Sequence, residues 1–378
     1  FNPKIESDGY QSENTVIEII ADDMPFIVSS ITSSLNVQKL NVELLIHQII
    51  KVNRKINGEF NSIIENKKSK EAFKNESLVH IEITRQPKIQ LSIIKSQLEF
   101  IISNLKICKK DEYLTRSRII SIIDDIHPLP KGLDINEMSE IQEFITWLCD
   151  HHFTFLGARD YKIKEYKNKQ SASIEKGSGL GLLRNPKYSV FTNISKNHST
   201  STELTIFQRS QDIILVTKTN RRSTVDRPLH MDAIGIKKFD NDGTVAGYRL
   251  FVGLFTQNAY NHPPSLIPLL RKKLENVFKR SNFSPSSHNG FKLKNILETY
   301  PRDELFQIAE NTLLNTALGI LTLEERPRTA VFVREDKLKR FCSCLVYISR
   351  EKYNTDLRQK IETILAEELN GSISAFYV

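Results

Sequence analysis

Three glycines at alternate positions, Gly177, Gly179 and Gly181, are the first residues in this chain whose spacing suggests chemistry. A glycine-rich run cradles phosphate when it lies between a strand and a helix N-terminus, because its backbone N–H groups then face the anion. Here Leu182-Leu183-Arg184 follows and reads as strand, so a hairpin turn fits the run better. His151 and His152 come after Cys149 and Asp150 at the end of a helical stretch. Adjacent helix residues point about 100° apart, which suits capping or packing better than metal ligation at i, i+4. These patterns assign no catalytic, cofactor-binding or metal-binding residue.

Two polar segments stay open to more than one reading. Residues 217–228, TKTNRRSTVDRP, bring Arg221, Arg222 and Arg227 together with Ser223, Thr224 and Asp226. Guanidinium forks suit a carboxylate or phosphate. An ion-pair network docking this segment on a neighbouring domain or subunit accounts for the same residues. Asp22, Asp23, Met24 and Pro25 follow the first strand-like run. Their carboxylates complement the ammonium of an amino-acid effector. They also suit a helix N-cap, with Pro in the first turn and the charge facing the positive end of the helix.

Composition narrows the function classes. With 39% hydrophobic and 26% charged residues over 378 positions, the chain is globular, and two or three domains are expected. Mean hydropathy is −0.33, and no apolar run nears the roughly 20 residues of a membrane span. No signal peptide is visible. The net charge of +8 comes from lysines spread along the whole length without interleaved aromatics, so no nucleic-acid partner is expected. Cys108 and Cys149 are isolated and Cys342 and Cys344 are two apart in a strand-like run, with no C-x-x-C pair, which indicates reduced thiols and a cytoplasmic protein.

The elements that must position these groups form an α+β, multidomain chain. In residues 1–126, TVIEII at 15–20 alternates as a strand, and a helix follows to about Lys39. Residues 42–54 are a long strand ended by the Asn57-Gly58 turn. LVHIEIT at 78–84 is a third strand, residues 89–102 repeat at helical spacing, and 105–108 would close the sheet. This β-α-β-β-α-β order predicts an antiparallel sheet with two helices on one face, the ferredoxin-like arrangement shared by ACT domains. A helix over 115–126 and the breaker His127-Pro128-Leu129-Pro130 lead into residues 127–264. There a helix over 136–151 precedes FTFLGARDYKI, LTIFQ, IILVTKT, MDAIGIKKFD and YRLFVGLFT, with a turn at Asn241-Asp242-Gly243. That pattern predicts a mainly antiparallel sheet with a covering helix, ended at Pro263-Pro264. Residues 265–326 read as a helical connector in which Asp303 is an N-cap. In residues 327–378, opened by Arg326-Pro327, the strands TAVFV and FCSCLVYIS precede a helix from about Asn354 to Leu369. SISAFYV then reads as a closing strand. The start at Phe1 and that last strand suggest a piece of something longer.

Several long runs, in order, carry a resemblance. They are ADDMPFIVSSITSSLN (21–36), LVHIEI (78–83), WLCDHHFTFLGARDY (147–161), GSGLGLLR (177–184) and NRRSTVDRPLHMDAIGIKKFD (220–240). FVGLFTQNAYNHPPSLIPLLRKK (251–273), NILETYPRDELFQ (295–307) and FVREDKLKRFCSCLVYISREKYNTDLR (332–358) complete the set. Together they resemble the N-terminal segment of the large bacterial NAD-specific glutamate dehydrogenases. The resemblance implies an ACT-like domain, a PAS-like antiparallel domain, a helical connector and the start of a second ACT-like domain. It also implies a regulatory or oligomerisation role beside a C-terminal catalytic region in a homo-oligomer, with NAD bound by the parent enzyme and glutamate oxidised to 2-oxoglutarate. The chain contains no Gly-Gly pair and no G-x-G-x-x-G run, so no catalytic or cofactor residue carries over. A free-standing amino-acid sensor or scaffold left from a split gene would keep the same domains.

Overall fold

Alternation of apolar residues builds the first sheet. β1 (Thr15–Asp22) turns Ile17, Ile19 and Ala21 toward the core, and β4 (Lys74–Ile83) does the same with Val79, Ile81 and Ile83. β2 (Val42–Arg54) and β3 (Phe60–Ile63) complete an antiparallel sheet of order β1-β4-β2-β3. The computed structural model describes residues 1–63, 73–125, 134–166, 169–191, 206–207, 209–240, 242–326 and 328–377. They divide into two units, Phe1–Asn261 and His262–Val378.

A one-turn helix, α1 (Ile5–Asp8), precedes β1, and α2 (Ile27–Val37) follows it. Ile31 and Leu35 of α2 are fully buried, each contributing about 2 kcal/mol. The cap of α2 is Phe26, in the left-handed region at φ 66°, and the Ser30 hydroxyl donates to its carbonyl at 2.6 Å. Asp23 and Pro25 therefore precede this helix, and neither the expected Asp cap nor the Pro in the first turn forms.

The expected closing strand at 105–108 is helical. α3 runs unbroken from Lys88 to Asp125, entered through Pro87, with no glycine or proline to stop it. Its first half buries Ile94, Leu98, Ile101 and Leu105, and its second half buries Asp111, Thr115, Ile119 and Ile122. The stripe shifts round the helix near Cys108, which makes the sequence period look broken. The ferredoxin-like arrangement accordingly lacks its last strand among the described residues, and the predicted helix over 115–126 is the second half of α3.

α4 (Ile135–Trp147), capped by Asp134, leads through a kinked turn into the second sheet. Its strands are β5 (Phe153–Tyr166), β6 (Lys169–Ile174), β7 (Leu180–Gly181), β8 (Ile214–Arg222), β9 (His230–Phe239) and β10 (Val245–Phe255). The antiparallel order is β6-β5-β10-β9-β8, with β7 paired to β5. The glycine run is a turn, but not the expected hairpin. β6 and β7 both pair with β5, and Leu182–Arg184 is a 3-10 turn, not a strand. A short helix, α5 (Gln257–Asn261), ends this unit. One hydrophobic core runs from Ile19, Ile31, Ile81 and Leu98 to Leu156, Leu182, Val225, Met231 and Leu254, so both sheets share it.

The second unit is helical at first, with α6 (Leu270–Arg280), α7 (His288–Thr299), α8 (Arg302–Gln307) and α9 (Glu310–Glu325). Pro301, not Asp303, holds the cap position of α8; Asp303 lies in the first turn, where its charge still favours the helix. β11 (Ala330–Glu335) and β12 (Cys342–Tyr347) pair antiparallel, and α10 (Thr355–Glu368) is capped by Asn354, which accepts from Leu357 N–H at 2.8 Å. Residues 372–377 form no strand, so SISAFYV is not extended in a ladder as expected. The breaker His127-Pro128-Leu129-Pro130, Asn241, Pro327 and most of LTIFQ lie outside the described residues, but its Ile206 and Phe207 are helical rather than extended.

Candidate functional site

The loop after β1 gathers charge from three elements. Asp22 ends the strand and pairs with the Lys74 ammonium, which holds its carboxyl below the ordinary value; Lys106 and Lys109 on α3 add to this. Asp23 accepts from the Ser77 hydroxyl at 2.9 Å, and Ser77 is in turn 3.1 Å from His47 Nε2. The Asp23 carbonyl accepts from Lys109. Met24 is buried in the core, and Pro25 is exposed. Beside them, Arg54 grips buried Glu76 with two bonds of 2.6 Å, and the Glu76 carboxyl is held down by that contact. An α-ammonium binding here would compete with Lys74.

The arginine segment leaves β8 and turns back into β9. Arg221 donates to the Ser189 carbonyl at 3.1 Å, Arg222 to Pro228 at 2.9 Å, and Arg227 to Phe255 at 2.7 Å and to the Asp226 carboxylate at 3.3 Å. Ser223 closes the turn by donating to the Val225 carbonyl at 2.6 Å. Thr224 accepts from Asn104 of α3 at 3.0 Å. Asp226 N–H donates to Ser30 of α2 at 2.8 Å, and its carbonyl accepts from Ser33 at 3.1 Å. Val225 inserts into the shared core. The tip of this loop therefore touches both helices that cover the first sheet, while its arginines serve the loop and the second sheet.

Sequence reasoning missed the residues that hold the glycine run. Arg159, in GARDY, is buried and donates to the carbonyls of Leu183, Asn185 and Tyr188 at 2.7 to 3.1 Å. Asp111, buried on α3, accepts from Gly181 N–H at 2.8 Å and from Arg184 at 2.7 and 3.1 Å. A Cβ on Gly181 would meet the Leu156 carbonyl at 2.2 Å, and one on Gly179 the Leu183 carbonyl at 2.4 Å. Close backbone approach, not phosphate, explains these glycines. A charged Asp at a buried-stripe position of α3 was the available signal.

His151 and His152 are not brought together as ligands. His151 sits at φ 57° in the kink after α4. His152 stacks on Trp147 with ring centres 4.4 Å apart, and its Nδ1 is 2.8 Å from the Trp147 carbonyl. Among the described residues no group of three His, Cys, Asp or Glu side chains has metal-binding geometry. All four cysteines are free, and no described helix is long and apolar enough to cross a membrane.

Comparison with known proteins covers the whole chain. Residues 1–98 match the glutamate dehydrogenase ACT1 domain, residues 267–326 its helical motif 1, and residues 330–378 its ACT2 domain. The chain is 32% identical over 99% of its length to the NAD-specific glutamate dehydrogenase of Halomonas elongata, and 30% identical over 100% to that of Pseudomonas aeruginosa. With the Mycobacterium tuberculosis protein of the same name it shares 24% over 94%. It spans 23%, 23% and 21% of the lengths of these relatives.

Proposed function

Because the chain belongs to the large NAD-specific glutamate dehydrogenase family, as its N-terminal segment, we propose that it regulates and assembles the enzyme while other residues do the chemistry. The parent reaction would convert L-glutamate, NAD+ and water to 2-oxoglutarate, ammonium and NADH. The single observation that carries this reading is the ordered match to ACT1, helical motif 1 and ACT2, with no dinucleotide fingerprint in the sequence. The antiparallel second sheet with helices packed on it supports the PAS-type reading of residues 127–264. Residues 1–126, 265–326 and 327–378 take the ACT-like, connector and second ACT-like roles.

The segment at 217–228 is a docking loop in this reading. Its contacts to Ser30, Ser33 and Asn104 support that assignment, since they join the second sheet to the helices of the first. Partners are the enzyme's own catalytic region and other subunits, in the cytoplasm. Two experiments test the function. Purified 1–378 given glutamate and NAD+ is expected to form no NADH above a no-protein blank. Deleting it from the full enzyme should alter subunit assembly or the response of the rate to effectors. NADH formation by the chain alone, or an enzyme indifferent to the deletion, would refute the assignment.

A further inference from the structure

Tyr161 on β5, Tyr248 on β10 and Lys237 on β9 are cross-strand partners, so their side chains stand in one row on one face of the second sheet. The two tyrosine rings stack with centres 4.8 Å apart. Tyr248 is fully buried, and its hydroxyl has no hydrogen-bond partner among the described residues. Lys237 is buried beside it. Its ammonium donates to the Ser210 carbonyl and lies 5.3 Å from the centre of the Phe207 ring. Among the described residues it forms no ion pair; Asp212 acts on it only from further off, and burial holds its pKa below the usual lysine value. A buried ammonium without a counter-ion costs free energy, and so does a buried phenol without an acceptor. Among the described residues, Lys237 and Tyr248 are such groups, and they face each other on paired strands.

The ring of Phe207 fills the space over this row. It meets Tyr248 edge-on with centres 6.1 Å apart. Its nearest atom is 3.1 Å from where a Cβ on Gly235 would stand, two residues before Lys237 on the same face. Glycine there leaves room for a flat ring. One kind of molecule would satisfy every unmet need of the row: a flat apolar body against the tyrosines and Gly235, with an anionic oxygen for Lys237 and the Tyr248 hydroxyl.

We propose that this row is a binding site for a small planar carboxylate, whose body takes the place of the Phe207 ring and whose carboxylate pairs with Lys237 and accepts from Tyr248. The site is separate from the loop at Asp22 and from the docking loop, and it does not depend on the regulatory reading above.

Benzoate is the probe, with benzamide as its neutral counterpart of the same shape. Both are titrated calorimetrically into the whole chain carrying Phe207→Ala. Benzoate is expected to bind about tenfold more tightly than benzamide, and adding Lys237→Met should erase that preference, because a hydrogen bond to a charged group is worth about that factor. Equal affinities for the two probes, or a preference that survives Lys237→Met, would overturn the proposal. Should Phe207→Ala fail to fold, Phe207→Leu keeps an apolar filler of different shape and decides the question by the same titration. There too, absence of a Lys237-dependent preference for benzoate counts against the site.

Discussion

At the scale of single residues, buried charge makes the strongest demands. Arg54 grips buried Glu76 with two bonds, so Arg54→Met leaves a carboxylate buried without its partner. A loss of stability is expected, smaller than for a fully buried pair because Arg54 is partly exposed. Urea unfolding at pH 7 measures it. Glu76 has a lowered pKa, so its contribution is present above the ordinary glutamate value of 4.5 and fades as pH falls through the lowered one. The gap between wild type and Arg54→Met should therefore narrow in acid. His230 acts with the same sign at a higher pH. Burial lowers its pKa while Nδ1–H donates to the Thr219 carbonyl, so the unfolded chain takes up the proton first as pH drops below 6.5. Stability should fall there, and His230→Asn should flatten that part of the melting-temperature profile. Gly181 combines φ 55° with backbone at 2.2 Å from its missing Cβ. Gly181→Ala is expected to cost more than 2 kcal/mol by the same unfolding measurement, where a mere surface turn would tolerate it.

At the scale of elements, α3 decides most of the architecture. Lys110 is exposed in its middle, so Lys110→Pro should cost about 3 kcal/mol by removing one helical hydrogen bond and crowding the turn before it, while Lys110→Ala should cost almost nothing. Equal stability of the two variants would place a break there instead. β2 was legible in the sequence to its last residue, and β1, β4 and the strands from β8 to β12 to within a few residues, because apolar alternation is local. The course of α3 was not, because its buried stripe moves from the Ile94 face to the Asp111 face where one partner sheet gives way to the other. Partners distant in the chain choose that shift. The same holds for the sites. Arg227 and Thr224 stood out by composition, but their hydrogen-bond partners Phe255 and Asn104 could not be read from any local pattern. Asp111 stood at a buried-stripe position, but the partners of Arg159 and Asp111 come from the close approach of β7 to β5, which gives them carbonyls and an N–H to serve.

At the scale of the molecule, the shared core joins the two sheets of Phe1–Asn261 more tightly than sequence punctuation suggests. Leu156, Leu182, Val225, Met231 and Leu254 each contribute about 2 kcal/mol of burial to it. Residues 1–261 expressed alone are therefore expected to melt cooperatively. Residues 1–126 alone should bind a hydrophobic dye and melt broadly, and a sharp, dye-free transition for that shorter piece would contradict the shared core. The same arrangement sets a timetable for the nascent chain. Ile83 of the first sheet leaves the ribosome long before Leu254, the last residue to reach their common core. At ordinary synthesis rates that interval is on the order of 10–30 s. Throughout it, the inner flank of α2 and α3 stays bare, which makes this stretch of translation the period when a chaperone would be needed most.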